Sequence, residues 1–140
     1  LRSIQDVLVA CLLTERTRLS SSAMNVATAY GAGPMHETSF VCDCLLPPLF
    51  KLCERTNKII VSRAQTALKD IFRAHPMTRT TLPKLQDAMA SQNKMLRSTV
   101  MDLLDLILTK ERPELLLEMQ DALEKAIKQG LLDAAPNVRE

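Results

Sequence analysis

The sequence predicts an all-α protein, an α-solenoid of antiparallel helix pairs, and three observations carry that reading. Between residues 57 and 72, Ile60, Ala64, Ala67, Leu68 and Ile71 fall at i, i+4, i+7, i+8 and i+11, a single helical stripe. The spacing recurs upstream in Leu19, Ala23, Val26, Ala27 and Tyr30, and downstream in Leu96, Val100, Leu103, Leu104 and Ile107. The three stripes begin 41 and then 36 residues apart, a separation that marks a repeated two-helix unit. Each is preceded by a basic turn: ERTR at 15–18, TNK at 56–58 and QNK at 92–94. A fourth turn, DAAPNVRE at 133–140, starts the same pattern at Val138.

Taken in order, residues 1–13 place Ile4, Leu8, Cys11 and Leu12 on one face and predict a helix. TERT at 14–17 interrupts it, with Thr14 or Thr17 available to cap a second helix over 19–30. Gly31 or Gly33 ends that helix and Pro34 prevents its continuation. Residues 40–53 are apolar nearly all round and predict a buried segment, with a short turn before Pro47 and Pro48 and a cleaner helix after them. A helix over 60–72 follows, ended by Pro76. The next, over 81–89, carries Leu82, Leu85 and Met89. Its LPKL matches LPPL at 46–49, 36 residues earlier, so the other helix of the pair repeats as well. A helix over 96–108 is the most apolar. Pro113 then opens a helix that runs to about Gln129, where a missing N–H costs nothing, and Gly130 precedes the final turn. The repeats are expected at about 1–32, 39–75, 80–110 and 113–140, the last incomplete, which implies a longer parent protein.

Composition narrows the function classes. Apolar residues make up 46% of the 140, enough for a continuous core, while aromatics reach only 3% with no Trp. That balance suits helix packing through Leu, Ile, Val and Ala, and leaves few rings for stacking on bases or sugars. Three glycines argue against a glycine-rich nucleotide loop, and neither GxxxxGK[ST] nor GxGxxG occurs. No apolar run approaches the ~18 residues of a membrane span and no signal peptide opens the chain. With a net charge of +2, where the cations sit matters more than how many there are. Because the turns between the first (A) and second (B) helix of each pair share one edge of such a solenoid, Arg16, Arg18, Lys58, Lys94 and Arg139 form a row of cations fit for an extended acidic surface. The opposite edge is also basic, with Arg73, Arg79, Lys110 and Arg112.

Four segments carry a family resemblance: ERTRLSSSA at 15–23, FVCDCLLPPLFKLCERTNKIIVSRAQTAL at 40–68, QNKMLRSTVMDLL at 92–104 and IKQGLLDAAPNVRE at 127–140. In this order they resemble the HEAT-repeat TOG domains of the CLASP family of microtubule-associated proteins. The resemblance implies HEAT-type helix pairs in a six-repeat array, of which this chain is similar to repeats two to five, a partial TOG array. It implies that the intra-repeat turns contact αβ-tubulin. The tubulin-facing positions then fall on Arg16, Thr17 and Arg18, on Asn57 and Lys58, on Asn93 and Lys94, and on Asn137 and Arg139. By the same resemblance the partner is αβ-tubulin or the microtubule, with other spindle or kinetochore proteins as further partners. The setting is the cytoplasmic and spindle cytoskeleton, and no cofactor is called for.

Against these stand the other classes. No Ser/His/Asp or Cys/His set shares an ordered spacing, so no enzyme is expected; His36 and His75 read as exposed loop histidines, and Asp102, Asp105, Glu114 and Glu118 as solvated helix faces. A pI near 8.4 and the scarcity of aromatics argue against nucleic acid. A HEAT scaffold that binds another protein without using the basic turns is the rival reading. Cys11, Cys42, Cys44 and Cys53 contain no CxxC and read as reduced thiols, Cys11 and Cys53 within the core; a zinc site from His36, Cys42, Cys44 and Cys53 lacks the usual finger spacing. All four should therefore titrate as free thiols in denaturant, with stability unmoved by reductant or chelator. Stoichiometric zinc in the purified protein would revive the four-residue site.

Overall fold

The computed structural model describes residues 3–34, 38–75 and 79–139, and every regular element among them is helical. The chain is all-α, built from HEAT-type helix pairs. Its packing divides into two compact units, Leu1–Ala74 and His75–Glu140.

In the first unit α1 spans Ile4–Leu13 and α2 Thr17–Gly31. A short helical turn, α3 (Thr38–Phe40), leads through a π-helical segment, Val41–Leu45, into α4 (Leu46–Cys53), and α5 (Lys58–Ala74) closes the unit. α2 packs on α1 and α5, and α4 packs on α1 and α5, so two hairpins lie side by side. The predicted stripe of α5 is buried in full: Ile60, Ala64, Ala67, Leu68 and Ile71 are at most 3% exposed.

The corresponding stripe of α2 is rotated from its predicted position. Leu19, Val26 and Tyr30 are exposed, and the buried face is Ser20, Ser21, Ala23, Met24, Ala27 and Gly31. Polar and small side chains take this face for two physical reasons. Ser20 Oγ donates to the Leu12 carbonyl at 2.8 Å, which satisfies an acceptor left over at the end of α1. Farther along, a Cβ at Gly31 would lie 2.8 Å from Ile71 Cγ1, so any side chain there would push the Ile71 side chain out of its place against α2. Gly31 thus serves packing, and α2 ends on Ala32 without any positive-φ residue. Neither expected threonine caps α2. Arg16 holds the N-cap position with no side-chain cap bond, although Thr14 Oγ1 accepts from its N–H at 3.4 Å.

No turn separates 40–45 from the prolines, contrary to expectation. Pro47 and Pro48 lack the N–H groups that an α-helix would direct to the carbonyls of Asp43 and Cys44, and their rings crowd those carbonyls. The chain widens instead: Leu46 N–H reaches back five residues to the Val41 carbonyl. The helix continues, and Val41, Cys42, Leu45, Leu46, Leu49, Leu52 and Cys53 are all buried. Cys11 is only half-buried, and so is His75, which the sequence placed on the surface. His36 and Pro76 lie outside the described residues.

In the second unit α6 spans Thr81–Met89 and α7 Lys94–Lys110. α8 (Pro113–Glu118) meets α9 (Gln120–Leu131) at Met119, and α10 is Pro136–Arg139. α6 packs on α7 and α9, and α10 packs on α7 and α9. Pro113 opens α8 as expected. The single helix expected from there is broken at Met119, where the backbone tightens to φ −109°. α9 then runs two residues past the expected Gln129, with Gly130 its penultimate residue just ahead of the final turn. A Cβ at Gly130 would overlap the Met101 side chain, so this glycine too marks a close approach, of α9 to α7. Leu82, Leu85 and Met89 are buried, as are Leu96, Val100, Leu103, Leu104 and Ile107. No helix among the described residues is long and apolar enough to cross a membrane.

Leu104 is 1% exposed on the helix that α6, α9 and α10 all pack against. Leu104→Ala should cost ~2–5 kcal/mol through lost burial and the cavity left behind. Thermal melting by circular dichroism reads it, and a mutant within a degree of wild type would displace the stripe.

Candidate functional site

The candidate residues gather at the N-terminal ends of the B helices. Arg16 precedes α2, whose first residues are Thr17 and Arg18, and all three are exposed. Lys58 and Lys94 are the first residues of α5 and α7 and are exposed. Asn57 and Asn93 stand just before them and do the same work 36 residues apart. Asn57 Oδ1 accepts from the N–H groups of Ile59 and Ile60 at 3.0 and 3.4 Å, and Asn93 Oδ1 from those of Met95 and Leu96 at 2.9 and 3.3 Å. Their side-chain oxygens are therefore helix caps. In the fourth turn, the Asn137 carbonyl accepts from Ser98 Oγ at 2.9 Å, and Arg139 Nη1 donates to the Asp133 carbonyl at 2.8 Å.

The cations sit against the local field. A helix N-terminus carries partial positive charge and favours acidic residues. Yet α2, α5 and α7 have no acidic residue in the first turn, and Lys or Arg stands there. Among the described residues none of Arg16, Arg18, Lys58 and Lys94 takes part in an ion pair. Arginines near the other ends of the helices differ: Arg73 pairs with Asp70 at 3.0 Å and Arg79 with Glu118 at 2.6 Å.

Two arginines that the sequence reading passed over hold the turns. In the first unit Arg55 Nη1 donates to the Thr14 carbonyl at 3.0 Å and Nη2 to the Leu13 carbonyl, with Glu15 Oε1 3.3 Å away. The second turn of that unit is thereby tied to the first. In the second unit Arg97 forks onto Asp133, Nε to Oδ2 at 2.6 Å and Nη2 to Oδ1 at 3.0 Å, while Nη1 donates to the Ser91 carbonyl at 2.8 Å. Turns 91–94 and 133–139 are thereby joined. Sequence signals existed, ERTN at 54–57 and LDAAPNVRE at 132–140, but nothing in them paired Arg97 with Asp133. No group of three or more His, Cys, Asp or Glu residues among those described is placed to hold a metal ion.

Residues 1–140 match end to end the family described as CLASP N terminal. The chain belongs to the CLASP N-terminal family. It is also 31% identical over 150 residues to Protein stu-1 of Neurospora crassa, an alignment that covers 100% of this chain and 13% of that protein. The chain thus spans about an eighth of the curated relative it matches.

Within this CLASP-family chain the Arg97–Asp133 fork is a well-shielded ion pair, with side chains 16% and 9% exposed. Arg97's hydrogen bonds, and then the Ala135 N–H at 2.8 Å, hold the Asp133 carboxyl below its ordinary value of 3.8. A carboxylate depressed in the folded state contributes stability that is fully present above the ordinary value. That stability is lost as pH falls through the depressed one. The melting-temperature gap between wild type and Asp133→Asn should accordingly be constant above about pH 5 and shrink on acidification. A gap independent of pH would make the role of Asp133 one of shape rather than charge.

Proposed function

We propose that this chain is a non-catalytic, microtubule-associated module that binds αβ-tubulin through its basic intra-repeat turns and so promotes microtubule stabilisation and spindle function. Family membership supports the microtubule association. The tubulin contact is supported by one observation above the others: exposed cations without acidic partners occupy helix N-termini where they oppose the dipole. Helix stability does not account for that placement, and an acidic partner does. In this reading Arg16, Arg18, Lys58 and Lys94 supply charge, with Thr17, Asn57, Asn93, Asn137 and Arg139 alongside in the same turns. Each repeat, at 1–32, 39–75, 80–110 and 113–140, contributes one turn. The module works on the cytoplasmic and spindle cytoskeleton, without cofactor, beside other spindle or kinetochore proteins.

The test reverses Lys58 and Lys94 to Glu together and measures co-sedimentation with tubulin polymer. Affinity should fall about tenfold or more, because like charges brought together across an interface cost several kcal/mol. Wild-type affinity should weaken as salt rises. Melting should hold or rise slightly, since Glu at a helix N-terminus complements the dipole by about 0.3–1 kcal/mol. The matched control is Arg63→Glu with Lys125→Glu, exposed mid-helix positions in α5 and α9. Arg73 and Arg79 are unsuitable controls because reversal would break their ion pairs. Equal losses from both pairs would reduce the effect to net charge; no loss from Lys58 and Lys94 would favour a scaffold that ignores the turns.

A further inference from the structure

Arg55 and Arg97 are turned inward and do something the contact residues do not. Each bridges the two basic turns of its own unit, and in each case the bonded atoms lie in or beside the turns rather than along a helix face. Arg97 uses Nε, Nη1 and Nη2 at once, two on Asp133 and one on the Ser91 carbonyl, with only 16% of its side chain exposed. Arg55, 21% exposed, directs Nη1 and Nη2 to the carbonyls of Thr14 and Leu13. Neither guanidinium is presented to a partner. The two occupy different places in their repeats, Arg55 in the turn before α5 and Arg97 three residues past the start of α7, so register within the repeat does not explain the shared arrangement. Ser98 Oγ adds a second tie from α7 to the Asn137 carbonyl.

We propose that Arg55 and Arg97 are positioning residues: each locks the two basic turns of its unit together, so that both turns meet an acidic partner as one preformed surface. This rests on the tubulin-facing reading of the turns. Surface turns ordinarily lose freedom when they bind, and that ordering is subtracted from affinity. A turn already bonded to its neighbour has little left to lose. The guanidinium suits the task because its planar fork meets a carboxylate and a carbonyl together; a lysine ammonium keeps the charge but not the fork.

The substitution that isolates the fork is Arg97→Lys, with Arg55→Lys as the parallel variant in the other unit. Tubulin co-sedimentation is run well below the melting transition, where both proteins are fully folded. Affinity should fall about three- to tenfold, the order expected when a few side chains must be ordered on binding. Amide exchange at Met95, Leu96 and Ala135 should accelerate in Arg97→Lys, a readout that needs no partner. In a Lys94→Ala background, Arg97→Lys should weaken binding markedly less, because its effect runs through the turn that bears Lys94. Unchanged exchange, unchanged affinity, or an equal loss in the Lys94→Ala background would each overturn the inference. Wild-type binding that Lys94→Ala leaves intact, or no wild-type binding at all, would remove the contact reading itself and the inference with it. Loss from Lys94→Ala with none from Arg97→Lys would remove the inference alone.

Discussion

Helix ends are the constraint on which this structure depends. Each A-to-B turn stops one helix and starts the next within three or four residues, leaving carbonyls without donors on one side and amides without acceptors on the other. The chain answers both needs with side chains from the turns and from neighbouring helices. Asn57 and Asn93 cap the helices that begin. Arg55 serves the carbonyls where α1 ends, and Gln129 Nε2 donates to the Met89 carbonyl where α6 ends. Among the described residues the cations at Arg16, Arg18, Lys58 and Lys94 take no part in meeting these demands through their side chains. That is why they stand out as candidates for recognition.

Close approach between helices is the second determinant. α2 meets its neighbours through Ser20, Ala23, Ala27 and Gly31, and α9 meets α7 at Gly130. Small residues let the axes come near enough for Ile71 and Met101 to fill the space a side chain would have taken. The spacing of helices within each unit sets the spacing of the turns at their ends. Packing in the core and presentation at the edge are therefore one geometry, and Arg97 and Asp133 lock it at the edge itself.

The electrostatics divide by location. Arg73 and Arg79 are neutralised by Asp70 and Glu118, exposed pairs of the kind that contribute little to stability. Arg97 and Asp133 are shielded and fork-bonded, and the carboxyl responds with a lowered pKa. The turn cations belong to neither class. They are exposed and placed where the helix dipole disfavours them, and the proposed contact with an acidic partner rests on that placement.

Much of the fold was legible in the residues. The stripes of α5 and α7 lie where their spacing places them, α6 begins and ends at Thr81 and Met89, and Pro113 opens α8. Periodicity succeeds there because a strongly apolar helix has one face worth burying. It failed on α2, where exposed Leu19, Val26 and Tyr30 looked like the core and Ser20 and Gly31 were the core. Hydropathy does not register a serine whose hydroxyl has a buried carbonyl to bond, nor a glycine needed for its missing Cβ. The π-helical passage before Pro47 escaped for a related reason: proline forbids α-type bonds locally, but whether the chain breaks or widens depends on what surrounds it. By itself, then, the sequence determined the helices, their pairing and the cationic turns, because these follow from local periodicity, breakers and charge. Only the tertiary structure decided which face of α2 is buried and which arginines hold the turns together. The α2 face follows from Ser20 meeting the Leu12 carbonyl and Gly31 meeting Ile71. The arginine ties join residues 36 and 42 positions apart, Arg97 with Asp133 and Arg55 with Leu13. All are contacts between separate helices or turns, which no hydropathy pattern encodes.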